Sequence, residues 1–282
     1  MIRERFAPSP TGLLHLGHAF SALTAWEAAG QDPRQFLLRI EDIDGPRCRP
    51  EYETQIYDDL AWLGIKWDIP VLRQSDRMAA YQCALKKLDQ MGLIYPCDCT
   101  RKDIETALSA RQEGDASYQV YPGTCRHKTM PEFKDGDAIR LNMERAVSDI
   151  SQVEYTEIGN GSSQTITTSA QDFVTKTGDI VLARKDIKTS YHLAVVVDDA
   201  AQSVTHVTRG EDMADQTPIH VLLQHLLGFS TPTYRHHRLI RDDQGKRLAT
   251  RHDALSLKTL RSEGWMPKDV RAYLDFDQIP AG

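Results

Sequence analysis

Between residues 2 and 40 the apolar pattern changes period twice, and the order of those changes leaves little choice of fold. Residues 2–7 form a short run that stops at Pro8 and Pro10, as a strand ending in a turn does. After Gly12, Ala19, Leu23 and Trp26 recur at i, i+4 and i+7, one face of a helix that Gly30 would close. A second strand, Phe36-Leu37-Leu38-Arg39-Ile40, then runs into Glu41-Asp42-Ile43-Asp44. Strand, turn, helix, strand predicts a parallel pair joined by a right-handed crossover, with a ligand site at the carboxyl ends of the strands. The fold class expected is therefore α/β, on a Rossmann-like parallel sheet.

The rest of the chain extends this pattern with one interruption. Helices are expected over residues 51–63, where Ile56, Leu60 and Leu63 align, and 76–91, where Tyr81, Leu85 and Leu88 do; Gly64 and Gly92 would stop them. Residues 95–172 turn polar and broken, and read as an insertion into the sheet. The branched run 193–197 suits a strand covered on both faces, residues 204–208 another strand, and 218–227 a helix with Ile219, Leu222, Leu223, Leu226 and Leu227 as its buried stripe and Gly228 as its stop. Three parts result: a catalytic domain from residues 1–94 and 173–240, the inserted subdomain 95–172, and a tail, 241–282, with a short helical cap.

Composition narrows the class of function. With 282 residues, 40% hydrophobic and 26% charged, the chain has the make-up of a globular protein of one large or two modest domains. No run of about 18 apolar residues occurs, so no membrane partner is expected. Charges at Arg3, Glu4 and Arg5 occupy the place where a signal peptide would need its apolar run, which leads us to expect a cytoplasmic protein. The five cysteines are odd in number and the chain is not small, against a secreted disulfide framework. A net charge of −6 has the wrong sign for nonspecific coating of nucleic acid, though a local basic face could still hold RNA.

Chemistry gathers at Arg5-Phe6-Ala7-Pro8-Ser9-Pro10-Thr11-Gly12-Leu13-Leu14-His15-Leu16-Gly17-His18. A helix amino terminus attracts phosphate through its unpaired N–H groups and partial positive charge. Two histidines there, with Gly17 allowing close approach, can donate to a phosphoryl group as negative charge builds. This segment resembles the ATP-binding signature of class I aminoacyl-tRNA synthetases, in the wording of glutamyl-tRNA synthetases. Arg39-Ile40-Glu41-Asp42, Tyr191-His192-Leu193-Ala194 and Val207-Thr208-Arg209-Gly210-Glu211-Asp212 continue the likeness in family order, as far as about Leu257. No stretch reads as the anticodon-binding domain of full-length members, an arrangement that resembles the glutamyl-queuosine tRNA(Asp) synthetases.

The resemblance implies a ligase that activates L-glutamate with ATP, without needing tRNA, and transfers it to the queuosine base of tRNA(Asp), acting as a monomer. It implies that Arg5, Phe6, Ala7, Pro8, Ser9, Glu41, Tyr191 and Arg209 bind glutamate. Fixed guanidinium groups with a carboxylate counter-charge suit a substrate carrying two carboxylates and an ammonium. For ATP it implies His15, Gly17 and His18 together with Arg247, Leu248 and Thr250, the catalytic groups being His15, His18, Thr250 and Arg251; Mg2+ would arrive with the nucleotide.

Two features leave alternatives open. Cys97-Asp98-Cys99 and Cys125 offer three thiolates, one short of a structural zinc tetrahedron. The resemblance implies Tyr121 as the fourth ligand of one structural Zn2+; three reduced, metal-free thiols are the alternative. At Arg247-Leu248-Ala249-Thr250, Thr250 stands where the family's mobile loop carries its second lysine, a loss worth about 10²–10³ in rate unless Lys246 or Arg251 replaces it. A truncated glutamyl-tRNA synthetase charging a 3′ end, or a lapsed paralogue that binds glutamate, ATP or RNA, remains as a rival.

Overall fold

The computed structural model describes residues 2–109, 120–159, 161–240 and 256–276. Strand β1 (Glu4–Phe6) leads through the Pro8–Gly12 turn into helix α1 (Leu16–Ala28), and β2 (Phe36–Ile40) returns parallel to β1, with Arg5 opposite Leu37. Helix α2 (Pro50–Trp62) and strand β3 (Leu72–Arg73) follow, β3 pairing parallel with β2. A 3-10 turn, Gln74–Arg77, opens helix α3 (Met78–Gln90). The expected crossover unit is thus present.

Beyond residue 93 the chain builds a small antiparallel sheet and then comes back. Strand β4 (Ile94–Cys97) is followed by α4 (Arg101–Ser109), β5 (Ala138–Leu141) and the single turn α5 (Met143–Ala146); β5 pairs antiparallel with β4 and with β8 (Val181–Ala183). Between them, β6 (Gln152–Gly159) and β7 (Ser162–Ser169) form an antiparallel hairpin that closes on the turn α6 (Ala170–Asp172). β6 pairs in parallel with β10 (Thr233–His237), which in turn lies parallel to β9 (His206–Gly210). The insertion expected over residues 95–172 therefore differs in two ways: its hairpin joins the parallel layer, and the small sheet takes β8 from beyond residue 172. Pairing partners distant in sequence decide sheet membership, and local composition does not report them.

Helix α7 (Tyr191–Ala201) corrects the strand expected at residues 193–197. Ser190 caps it, its Oγ accepting the Leu193 N–H at 3.4 Å, and Leu193 through Val197 are all buried. A helix covered on every side carries the same unbroken apolar run as a central strand, so periodicity cannot separate them. Helix α8 (Thr217–Leu227) ends on Gly228, whose φ of 68° is the left-handed turn a glycine takes at no steric cost. Strand β10 had no apolar signal, being Thr-Tyr-Arg-His-His, yet it lies between β9 and β6. Helices α9 (Leu257–Ser262) and α10 (Pro267–Tyr273) make the expected helical cap.

The two parallel sheets meet at β1 and β9, where the Thr205 and His206 N–H groups donate to the Arg3 carbonyl at 3.0 and 3.2 Å. Apolar layers cover both faces. In β2, Leu37 belongs to the layer with α3, α7 and α8, while Phe36, Leu38 and Ile40 belong to the layer with α1 and α2. Period-two alternation therefore sends successive apolar residues of β2 to opposite layers. Among the described residues no helix is long and apolar enough to cross a membrane.

Candidate active site

The same alternation that places Leu37 against α7 places Arg5 and Arg39 there too. Asp199 of α7 accepts from Arg5 Nε at 3.2 Å and from Arg39 Nη1 at 2.7 Å, and Arg39 also donates to Gln202 Oε1 at 3.0 Å. Burial works to raise the Asp199 carboxyl, but Arg39 and Arg5 hold it below the usual carboxylate range. Glu41, at the end of β2, stands 3.5 Å from Arg39 Nη2. There burial outweighs Arg39 and Arg5, pushing the Glu41 carboxyl up to about 7. Its N–H donates to the Pro8 carbonyl at 3.0 Å, which ties the Pro8 turn to the tip of β2.

Arg209 at the end of β9 is 8% exposed and differs from Arg5 and Arg39 in its company. Its Nη1 donates to His220 Nδ1 at 3.2 Å and to the Tyr191 hydroxyl at 3.4 Å, its Nη2 to Thr217 Oγ1, and its Nε to His236 Nε2 at 3.4 Å. It makes no ion pair among the described residues. Burial first, then Arg209, lowers His192 to about 4 and His220 well below the ordinary histidine range, so both are neutral at pH 7. A buried guanidinium surrounded by neutral acceptors lacks the counter-charge that normally offsets its desolvation, and such a place favours an incoming anion.

The helix start has its own order. His15 caps α1: its Nδ1 accepts the Gly17 N–H at 3.1 Å, while the His15 N–H donates to His18 Nδ1 at 3.2 Å and the two rings lie 3.9 Å apart. With both Nδ1 atoms accepting, each neutral ring carries its proton on Nε2, the donor that a phosphate oxygen requires. Gly17 leaves room for the capping ring, since a Cβ there would come within 2.9 Å of His15 Cε1 and displace it. The Leu257 N–H donates to the Leu14 carbonyl at 2.8 Å, and Ser21 Oγ lies 2.6 Å from His237 Nε2. Chain on both sides of residues 241–255 is thereby fastened to the start and flank of α1. The expected ATP residues Arg247, Leu248, Thr250 and Arg251 lie outside the described residues.

Of the expected glutamate residues, the structure gathers Arg5, Glu41, Tyr191 and Arg209 on one side of the sheet tips. Phe6 points its ring into the opposite apolar layer, Pro8 is buried with its carbonyl bonded to the Glu41 N–H, Ala7 is partly buried and Ser9 is exposed. Arg39, Asp199, Thr217, His220 and His236 are site residues that reading the sequence missed. The adjacent acids Asp198-Asp199 in an apolar run and the paired His236-His237 were the available signals.

In the small sheet, Cys97, Cys99 and Cys125 hold their Sγ atoms within 4.8 Å of one another. Tyr121 Oη lies 3.4 Å from both Cys97 Sγ and Cys99 Sγ, and Cys99 Sγ lies 3.5 Å from Cys125 Sγ. Atoms bound at roughly 2.0–2.3 Å around one tetrahedral ion stand about 3.3–3.8 Å apart, so this donor set fits zinc. The Cys125 N–H donates to Tyr121 Oη at 3.1 Å, and Arg140 stacks 3.9 Å over the Tyr121 ring. Both would ease negative charge on the phenol oxygen.

Residues 1–276 match the family model described as tRNA synthetases class I (E and Q), catalytic domain. The glutamyl-Q tRNA(Asp) synthetase of Rhodobacter capsulatus is 52% identical, over 96% of this chain and 98% of that protein. The glutamate–tRNA ligase of Aquifex aeolicus is 38% identical, over 97% of this chain and 56% of its own length. Among solved structures, a glutamate tRNA ligase from Elizabethkingia meningosepticum in complex with its amino acid superposes with a TM-score of 0.69 at 26% identity, over 89% of this chain and 52% of that one. The chain thus spans about half the length of that solved synthetase.

Proposed function

Since this chain belongs to the class I tRNA synthetases of the glutamate and glutamine type, a family of ligases, we propose that it activates L-glutamate with ATP, without tRNA, and transfers it to the queuosine base of tRNA(Asp). One observation carries the reading of the substrate: buried Arg209 has neutral partners only, and stands at the sheet tips with Arg5, Tyr191 and Glu41. A dicarboxylic amino acid completes such a site. Its carboxylates engage Arg209 and Arg5, and its ammonium pairs with Glu41.

ATP lies at the start of α1 with His15 and His18 donating from Nε2 to its phosphate oxygens. The α-carboxylate oxygen attacks the α-phosphorus, the bond to the pyrophosphate oxygen breaks, and pyrophosphate leaves with its charge. An acceptor hydroxyl then attacks the glutamyl carbonyl, the bond from that carbonyl to the AMP phosphate oxygen breaks, and the hydroxyl proton leaves with AMP or to water, giving the ester. No side chain acts as nucleophile; positioning and charge stabilisation supply the rate. Mg2+ arriving with ATP would supply charge neutralisation at the phosphates. Cys97, Cys99, Tyr121 and Cys125 would hold one structural zinc, a cross-link between the end of β4 and residues 121–125. The choice of acceptor is supported by the 52% identity to the queuosine-type relative, against 38% to the ligase named for tRNA charging.

Glutamate-dependent ATP–pyrophosphate exchange without tRNA tests the first step, and absence of exchange by zinc-replete protein overturns it. Labelled glutamate offered with tRNA(Asp) containing or lacking queuosine tests the second. Label that reaches tRNA(Asp) regardless of queuosine rejects the modified base in favour of a 3′ end.

A further inference from the structure

The contacts on the His236 side of Arg209 can be given a direction. A guanidinium only donates. Thr217 Oγ1 accepts from Arg209 Nη2 and lies 2.9 Å from His236 Nε2. That nitrogen also receives Arg209 Nε at 3.4 Å, so it carries no proton of its own. The ring proton therefore sits on Nδ1, which faces Glu157 Oε1 at 2.6 Å. Glu157 is the terminus of the series and belongs to β6, in the hairpin that joins the parallel layer through β10.

We propose that Glu157 and His236 are positioning residues for the substrate carboxylate: the one-way relay Arg209, Thr217, His236, Glu157 fixes the roll of the Arg209 guanidinium so that its remaining N–H points at the ligand. The inference rests on the reading of Arg209 as a glutamate ligand. Glu157 touches no substrate and acts by holding one tautomer of His236, as an outer partner does for a histidine ligand. Burial lowers His236 below the ordinary histidine range even though Glu157 works against it, which agrees with a neutral ring. The geometry places this control on a different strand from any residue in contact with glutamate, and 52 positions before the arginine it aims.

Two measurements test it. In the wild-type chain, nitrogen-15 spectra of histidine should show His236 protonated at Nδ1 and bare at Nε2 without any substrate; protonation at Nε2 overturns the relay whatever the enzyme's substrate proves to be. In pyrophosphate exchange, Glu157→Ala should raise the glutamate KM about three- to tenfold, the worth of one hydrogen bond, with the ATP KM and kcat little changed. Glu157→Gln keeps an acceptor oxygen and should rescue most of that loss. An unchanged glutamate KM in Glu157→Ala, or Glu157→Gln behaving like the alanine variant, overturns the proposal. Wild-type protein that exchanges no pyrophosphate with glutamate defeats the reading of the site instead, and leaves the tautomer measurement to judge the relay.

Discussion

Glu41 is the residue whose ionisation the substrate must change. Its carboxyl lies at about 7 instead of 4.5 because burial outweighs Arg39 and Arg5. The folded chain therefore favours the proton, so the stability contributed at Glu41 is present below about pH 4.5 and is lost as the pH rises through 7. Glu4 on β1, accepting from Thr208 Oγ1 at 2.8 Å and also raised to about 7 by burial, adds to the same trend. Binding runs the other way. A substrate ammonium favours the carboxylate, so glutamate affinity should climb by at most about tenfold per pH unit from pH 5.5 to 7 and level above it. Calorimetry in two buffers should record proton release that disappears in Glu41→Gln; affinity flat across that range would count against the pairing of Glu41 with the ammonium.

At the scale of elements, the proposed reaction assigns its nucleotide side to the start of α1 and to Thr250, which lies outside the described residues. Gly17→Ala drives a methyl group to within 2.9 Å of His15 Cε1, so the ring must leave its capping position. We expect a loss of about 1 kcal/mol of stability and an ATP KM raised roughly tenfold, with the glutamate KM nearly unchanged; exchange kinetics with each substrate varied in turn would show an unaltered ATP KM if His15 has no part in binding. Thr250→Lys should raise the exchange rate by restoring the second positive charge of the family loop, and a rate left where it was would mean that Lys246 or Arg251 already fills the role. The elements themselves were unequally legible. The β1–α1–β2 unit was plain from its change of period, whereas α7 read as a strand because burial on all sides erased the helical stripe. Strand β10 was invisible because its side chains serve the site: His236 and His237 face α8, β6 and α1 instead of filling a core.

For the whole molecule, the zinc ligand set should govern how the small sheet holds together. Elemental analysis should find one zinc per chain, and a chelator should lower the melting temperature. Tyr121→Phe should hold zinc about ten- to a hundredfold less tightly while keeping the fold, the usual cost of weakening a metal's ligand shell. Zinc-supplemented protein without metal would leave Cys97, Cys99 and Cys125 as ordinary reduced thiols. By itself the sequence made legible the parallel crossover unit, the histidines at the start of α1 and the cysteine set, and its family motifs singled out Arg5, Glu41, Tyr191 and Arg209, because each is written in local period or in a contiguous motif. Tertiary structure alone decided that Asp199 pairs with both Arg5 and Arg39 while Arg209 has no ion pair among the described residues, that β6 returns to the parallel layer, and that His236 links Glu157 to Thr217. Those outcomes depend on which distant segments share a strand edge or a helix face, and the energy of a buried charge is set by such neighbours rather than by its place in the chain.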